Sequence, residues 1–94
     1  MNTKSYKSFK SRLLKNKEIK RAYEALEPEF LLAKMIIFAR IQQGITQKEI
    51  AKKIGTKQSA ISRLESGDYN PSFAFLRKVA GALDLKLKVS LEKQ

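Results

Sequence analysis

A chain of 94 residues, 43% of them hydrophobic, can form one small folded domain but not a spacious buried active site. Its 20 Lys and Arg against 9 Asp and Glu give a formal net charge of +11, which favours a polyanionic partner such as nucleic acid. The absence of Cys and His removes disulfides, thiolate chemistry, the commonest general base and the commonest metal ligand. We therefore expect a protein that is not an enzyme and that holds no metal ion or cofactor.

The amino terminus, MNTKSYKSFK, is positively charged but is not followed by the apolar stretch of a signal peptide. The longest apolar stretch, residues 30–41, is interrupted by Lys34 and Arg40 and is too short to span a bilayer. We accordingly expect a cytoplasmic protein that makes no membrane contact.

Residues 1–27 are predicted to form a basic helical extension, since they contain eight Lys or Arg against three Glu. Two apolar stripes at helical spacing indicate one or two short amphipathic helices, with Asn16 as a cap or break between them. The stripes consist of Phe9, Leu13 and Leu14, and then of Ile19, Ala22, Tyr23 and Leu26. Two interpretations stay open: the extension binds a partner protein or DNA phosphates, or it is a solvated arm that docks on the domain.

Pro28 marks a boundary, because proline is tolerated in the first turn of a helix but not in its interior. A helix is predicted over 29–43, with Gly44 as its terminator. One face carries Leu31, Leu32, Met35, Ile36 and Ala39, and another carries Phe30, Ile37, Phe38 and Ile41. A helix that is apolar on most of its circumference is usually buried on more than one side. The second face therefore packs either within the chain or against another subunit or partner.

Residues 46–67, TQKEIAKKIGTKQSAISRLESG, have the pattern of two short helices joined by a glycine turn. Thr46 and Glu49 have the spacing of a capping box. Gly55 supplies a left-handed turn, and Thr56 is placed to cap the second helix. The apolar residues that face one another across the turn are Ile50, Ala51, Ile54, Ile61 and Leu64. The outer face of the second helix carries groups that suit base edges in a major groove: Lys57, Gln58, Ser59, Ser62 and Arg63.

After a loop of turn residues, Ser72 is placed to cap a final helix that extends through Leu83. Its predicted buried stripe is Phe73, Leu76, Val79, Ala80 and Leu83. The next apolar residues alternate with polar ones, as in a half-buried β-strand: Leu85, Leu87, Val89 and Leu91. Because the chain contains no second strand, we expect this one to pair with a twin subunit or another protein. The alternative is an irregular tail whose leucines lie on the core.

The segment ITQKEIAKKIGTKQSAISRLESG resembles the Xre/Cro-type helix-turn-helix of phage-repressor-like regulators, over about residues 32–83. Together with ALEPEFLLAKMIIFAR and NPSFAFLRKVAGALDLKL, it resembles antitoxins of the HigB–HigA class of type II toxin–antitoxin modules. The expected fold is mainly α, a five- to six-helix bundle with this helix-turn-helix and one short C-terminal β-strand. Its expected parts are the extension at 1–27, the DNA-binding domain at 28–84 and the strand tail at 85–94.

The resemblance also implies roles for individual residues in DNA binding. Gln47 matches a residue that contacts a phosphate and braces the second helix, and Gln58 matches one that bonds an adenine edge. Neighbouring base or phosphate contacts are implied for Lys57, Ser59, Ser62 and Arg63. Lys53 and the backbone of residues 67–70, which include Asn70, are implied to position phosphates only.

Arg40 and Glu65 match a pair that commonly forms a structural salt bridge in this fold. The resemblance further implies a homodimer, an inverted-repeat operator, repression of the protein's own operon, and a RelE-like RNA-cleaving toxin as partner. The residues expected to bind a partner are Phe9, Leu13, Tyr23, Leu26, Phe38 and Ile41. Two alternatives stay open: a stand-alone phage-type repressor without a toxin, and an interaction module whose helix-turn-helix no longer reads DNA.

Overall fold

The computed structural model describes residues 11–25, 27–67 and 69–93, and within these ranges the fold is mainly α-helical, as predicted. Its complete helices are α1 (Lys17–Ala25), α2 (Pro28–Gln42), α3 (Gln47–Ile54), α4 (Gln58–Leu64) and α5 (Phe73–Ala82). Residues 11–15 are also helical and precede Asn16. Within the described ranges, none of the helices has both the length and the apolar composition needed to cross a membrane.

The start of α3 has the predicted capping box. Thr46 Oγ1 accepts a hydrogen bond from the N–H of Glu49 at 3.0 Å, and Glu49 Oε1 accepts one from the N–H of Thr46 at 3.1 Å. The backbone N–H of Thr46, and to a smaller extent its side chain, lowers the pKa of Glu49, because both stabilise the carboxylate form. At the other end of α3, Gly55 adopts the left-handed conformation (φ 75°) that the sequence predicts.

The predicted cap of α4 by Thr56 is wrong. Lys57 occupies the N-cap position of α4, and no side chain in the described residues caps that helix. Thr56 instead belongs to the end of α3, since its N–H donates to the carbonyl of Ala51 at 2.8 Å. A helix that ends on a left-handed glycine uses the N–H of the next residue to close its last turn, so the connection is one residue longer than the sequence suggests.

One apolar core joins α2, α3, α4 and α5, and α3 packs against both α4 and α5. Its buried residues are Ile36, Ala39, Ile50, Ala51, Ile61, Leu64, Leu76, Val79, Ala82 and Leu83. The residues predicted to meet across the turn all belong to this core, with Ile54 partly buried at its edge. The core therefore fixes the angle at which α4 leaves the turn.

The N-terminal helix α1 packs against α2 through contacts outside this core. Ile19 of α1 is buried outside the core, as is Leu13 before the helix, and Glu18 pairs with Lys34 of α2 at 3.0 Å. Asn16 caps α1, because its Oδ1 accepts hydrogen bonds from the N–H groups of Glu18 at 3.0 Å and Ile19 at 3.1 Å. The predicted cap at Asn16 is thus confirmed.

The last helix begins where the sequence predicts. Ser72 Oγ accepts a hydrogen bond from the N–H of Phe75 at 3.1 Å and caps α5. The prediction that Phe73 faces the core is wrong, since it is 63% exposed, whereas Phe75 packs against the core. Both residues lie in the first turn of α5, and near a helix end the helical period does not reliably predict which of two aromatic rings faces the core.

The predicted C-terminal β-strand is absent, because residues 85–93 have an irregular conformation. Leu85 and Leu87 pack partly buried against the core, while Val89 and Leu91 are 65% and 99% exposed. A strand needs a neighbour for its backbone hydrogen bonds, and the described part of this single chain offers none. The first two leucines of the tail therefore lie on the core, as in the alternative of an irregular tail, and the chain leaves the core after Leu87.

Candidate nucleic-acid interface

Helix α4 separates its side chains into a buried face and an exposed face. Ile61 and Leu64 lie in the core. The residues predicted to read DNA are all exposed, namely Lys57, Gln58, Ser59, Ser62 and Arg63. Burial of one face thus leaves the whole predicted reading face accessible to a ligand.

This exposed face borders a shallow concave surface at the turn between α3 and α4. The surface is lined by Gly55, Thr56, Lys57, Ser59, Ala60 and Arg63. Lys57 and Arg63 place two cations there, and the lining within the described chain includes no acidic side chain. Such a surface suits a polyanion better than a neutral or cationic ligand.

A charged network ties both helices of the motif to α2. Arg40 donates to Glu65 through two bonds, from Nε to Oε2 at 2.8 Å and from Nη2 to Oε1 at 3.0 Å. Arg40 Nη1 also donates to the carbonyl of Ile45 at 3.1 Å, and Gln47 Nε2 donates to Glu65 Oε1 at 2.9 Å. The side chains of Arg40 and Glu65 are only 17% and 5% exposed. The ion pair implied by the resemblance therefore anchors the start of α3 and the end of α4.

The Arg40 guanidinium has a raised pKa in this network. The hydrogen bonds to Glu65 are the largest cause, desolvation opposes them, and the negative charge of Glu65 adds to them. Because an arginine is protonated at any physiological pH in any case, the raised pKa leaves the charge of Arg40 unchanged.

The side chain of Gln47 is engaged in this brace. Its amide donates to Glu65, so it supports the end of α4 as the resemblance implies. Its backbone N–H and that of Lys48 belong to the first turn of α3, where such donors have no partner within the helix and suit an anion. The phosphate contact of Gln47 stays a prediction.

Two further residues predicted to position phosphates have different surroundings. Lys53 Nζ donates to the carbonyl of Ala82 at 3.2 Å, so its ammonium lies at the C-terminal end of α5. A cation is favourable at that end of a helix, where carbonyl groups are unsatisfied. Asn70 is exposed in the loop after α4. Its role in positioning a DNA phosphate stays a prediction.

Tyr69 contacts one residue of this surface, Arg63, although no sequence pattern indicates that contact. The Arg63 guanidinium lies 5.5 Å from the centroid of the Tyr69 ring, within the range of a cation–π contact. Tyr69 is itself partly buried against the core. An aromatic residue in a loop has no periodicity, so only the folded chain reveals which side chain it meets.

The residues predicted to bind a partner differ in their surroundings, and two of them lie outside the part of the chain that the structure describes. Phe9 and Leu26 lie outside the described residues. Leu13 is buried inside the chain, so in this structure it contributes to intrachain packing and not to an accessible surface. Tyr23 and Ile41 are exposed, and Phe38 is partly buried.

Residues 36–89, more than half of the chain, match the protein family described as Helix-turn-helix. The chain therefore belongs to the helix-turn-helix family, of the Xre type, whose members are DNA-binding transcriptional regulators.

Three relatives show which proteins the chain is similar to. An uncharacterised HTH-type transcriptional regulator of Archaeoglobus fulgidus is 39% identical over 49 residues, which are 52% of this chain and 70% of that protein. Antitoxin HipB of Escherichia coli is 41% identical over 56 residues, 60% of this chain and 60% of that protein. Antitoxin HigA1 of Mycobacterium tuberculosis is 32% identical over 85 residues, 90% of this chain and 50% of that protein. The chain thus spans only part of the length of each of these relatives.

Proposed function

We propose that this protein is a sequence-specific DNA-binding antitoxin. In this proposal it acts in the cytoplasm as a homodimer, represses its own operon, and neutralises a RelE-like mRNA-cleaving toxin by direct binding. The observation that carries the DNA-binding part is the exposed polar face of α4, which the buried Ile61 and Leu64 and the Arg40–Glu65 brace hold in place. Membership of the helix-turn-helix family supports the same part.

The proposed DNA contacts follow from the chemistry of the exposed groups. The amide of Gln58 can bond an adenine edge through two hydrogen bonds, and the guanidinium of Arg63 suits a guanine edge or a phosphate oxygen. Lys57, at the concave surface beside α4, suits a phosphate. A dimer of this motif places two reading helices about 34 Å apart, so we expect an operator with inverted-repeat symmetry.

The proposed toxin contact is supported by the antitoxin names of two relatives and by the exposed apolar side chains. The likeness to HigA1 extends over 90% of the chain and so reaches beyond the residues that match the helix-turn-helix family. Tyr23 on α1 and Ile41 on α2 are exposed large apolar residues. We assign these two residues to the contact with the toxin.

DNA reading is tested on the duplex that the wild-type protein selects from a random-sequence pool. Gln58→Ala removes the bidentate amide and is expected to cost about 1–3 kcal/mol of binding free energy. Gln42→Ala is the matched control, because Gln42 is an exposed glutamine at the end of α2 and should leave the affinity unchanged. If Gln58→Ala and Arg63→Ala both bind the selected duplex like the wild type, α4 does not read the sequence.

Toxin neutralisation is tested by expressing the neighbouring reading frame with and without this protein. We expect growth arrest without it, rescue with it, and recovery of a small RNA-cleaving protein in the same complex. The variant Tyr23→Asp with Ile41→Asp should lose the rescue and still bind the selected duplex. Growth that does not depend on this protein, together with no co-purifying toxin, would falsify the antitoxin half of the proposal.

The second candidate is a stand-alone phage-repressor-like regulator without a toxin partner. The relative from Archaeoglobus fulgidus supports it, because that protein is named only as a transcriptional regulator. Both candidates predict the same selected duplex and the same effect of Gln58→Ala. The co-expression experiment therefore separates them, while the DNA-binding experiment does not.

A further inference from the structure

We propose that Tyr69 is a positioning residue that holds the guanidinium of Arg63 in the orientation in which it reads DNA. The proposal rests on the DNA-binding function proposed above and adds to it a residue outside helices α3 and α4. The juxtaposition that carries it is the guanidinium of Arg63 lying 5.5 Å from the ring centroid of Tyr69.

Arg63 needs such a partner because its side chain is long and exposed. It lies in the last turn of α4 and lines the concave surface beside Lys57 and Ser59. An exposed arginine samples many rotamers, and ordering it on a ligand reduces the affinity. A contact that already restricts its rotamers in the free protein removes part of that loss.

The ring of Tyr69 is held by the protein and not by Arg63. Tyr69 packs against the core, so the ring has a fixed surface behind it. The last turn of α4 is fixed as well, because Ser66 Oγ donates to the carbonyl of Arg63 at 2.6 Å. Tyr69 is therefore held by its packing and Arg63 by its backbone, and the ring face limits where the guanidinium can lie.

The contact also leaves the charge and the donors of Arg63 available. Arg40 donates to both carboxylate oxygens of Glu65 and is committed to the scaffold. Within the described residues, Arg63 has no such carboxylate partner, and its guanidinium lies near an aromatic face. An aromatic ring restricts a guanidinium without neutralising it or occupying its N–H groups. The same side chain can therefore still bond a base edge or a phosphate.

The test is a double-mutant cycle on the duplex that the wild-type protein selects, with titrations at one fixed salt concentration. Tyr69→Leu keeps an apolar side chain and removes the ring, so we expect binding to be weaker by about two- to ten-fold. Tyr69→Phe keeps the ring and should restore binding to within about two-fold of the wild type. In the Arg63→Ala background, Tyr69→Leu should have no further effect.

Phe75→Leu is the matched control, because Phe75 is another partly buried aromatic residue on the same core. It should bind like the wild type, and urea titrations show whether each variant is folded at the temperature of the assay. A Tyr69→Leu loss that persists in the Arg63→Ala background, or a Tyr69→Phe variant as weak as Tyr69→Leu, would overturn the positioning role. Tighter binding by Tyr69→Leu would overturn it too, since it would mean that the ring withholds Arg63 from DNA.

A measurement without DNA separates failure of this inference from failure of the proposed function. In the free protein, the ring current of Tyr69 should shift the Arg63 Hδ proton resonances upfield, and Tyr69→Leu should abolish that shift while Tyr69→Phe keeps it. Absence of the shift overturns the contact whatever the DNA result. If the shift is present but the wild type selects no duplex, the DNA-binding function fails and the positioning role fails with it.

Discussion

Helices α1 and α4 each bury one face, but different kinds of contact hold them. Helix α4 places Ile61 and Leu64 in the main core, and Glu65 at its end joins a hydrogen-bonded charge network that is almost closed to solvent. Helix α1 buries Ile19 outside that core, and its ion pair joins a Glu18 side chain that is 69% exposed to a Lys34 side chain that is 28% exposed.

The difference indicates which helix has a fixed orientation. A side chain that reads bases must be held to within a fraction of an ångström, and packed cores with buried charge networks provide that rigidity. An exposed ion pair contributes little stability and allows a helix to shift or detach. We therefore expect α4 to keep its position whatever happens to α1, and α1 to be the helix that adapts to a partner protein.

Truncation of the buried isoleucines Ile61 on α4 and Ile19 on α1 should produce the largest difference between the two helices in lost stability. Ile61→Ala removes a fully buried side chain from the main core and is expected to lower the free energy of unfolding by about 2–5 kcal/mol. The loss for Ile19→Ala should lie at the bottom of that range or below it, because the side chains around Ile19, outside the main core, can move into the space that it leaves. Urea titrations measure both values, and an equal or larger loss for Ile19→Ala would contradict the comparison.

Neutralisation of Glu65 on the α4 side and of Glu18 on α1 should again lower the free energy of unfolding more on the α4 side, but by a smaller margin. Glu65→Gln keeps the size of the side chain but removes the charge that partners Arg40, which should cost about 1–3 kcal/mol. Glu18→Gln is the matched change on α1 and should cost at most about 1 kcal/mol. Glu65→Gln should be clearly less stable than Glu18→Gln in the same urea titration, and equal stabilities would show that the two ion pairs contribute alike.

The two threonines at the ends of α3 should differ in how much their side chains stabilise the motif. Thr46→Ala removes the cap of the helix on which α4 packs, so we expect a loss of about 1 kcal/mol. Thr56→Ala is the control, because Thr56 contributes its backbone N–H and not its side chain, and its cost should stay within about 0.5 kcal/mol. Thermal unfolding of both variants decides between this assignment and a cap by Thr56.

The smallest effect is a dependence of stability on acid pH. The folded protein holds the pKa of Glu49 below its ordinary value of 4.5, so the capping box stabilises the fold when that carboxyl is ionised. This contribution is complete above the ordinary pKa and disappears as the pH falls through the lowered pKa. Urea midpoints measured from neutral to acid pH should therefore fall more steeply for the wild type than for Glu49→Gln, and parallel curves would contradict it.

Several helix ends, though not the start of α4, could be predicted from the sequence because their signals are local. The capping box of Thr46 and Glu49, the left-handed Gly55 and the cap at Ser72 each depend on residues within four positions of one another. The two-faced pattern of α4 is local in the same sense. The sequence alone contains the signals for these caps, for the glycine turn and for the two faces of α4, and the structure has each of them where it is expected.

The tertiary structure decided other contacts that no local pattern in the sequence indicates. No spacing indicates that Lys53 reaches the carbonyl of Ala82, or that the ring of Tyr69 lies beside Arg63. The alternation in the tail, which predicts a strand, yields an irregular segment because the described part of the chain provides no neighbour for its backbone. Local hydrogen bonds therefore determined where most of the helices begin and end. Packing between residues far apart in the sequence determined how the exposed face of α4 is braced, and the course of the loop after α4 determined which ring lies beside Arg63.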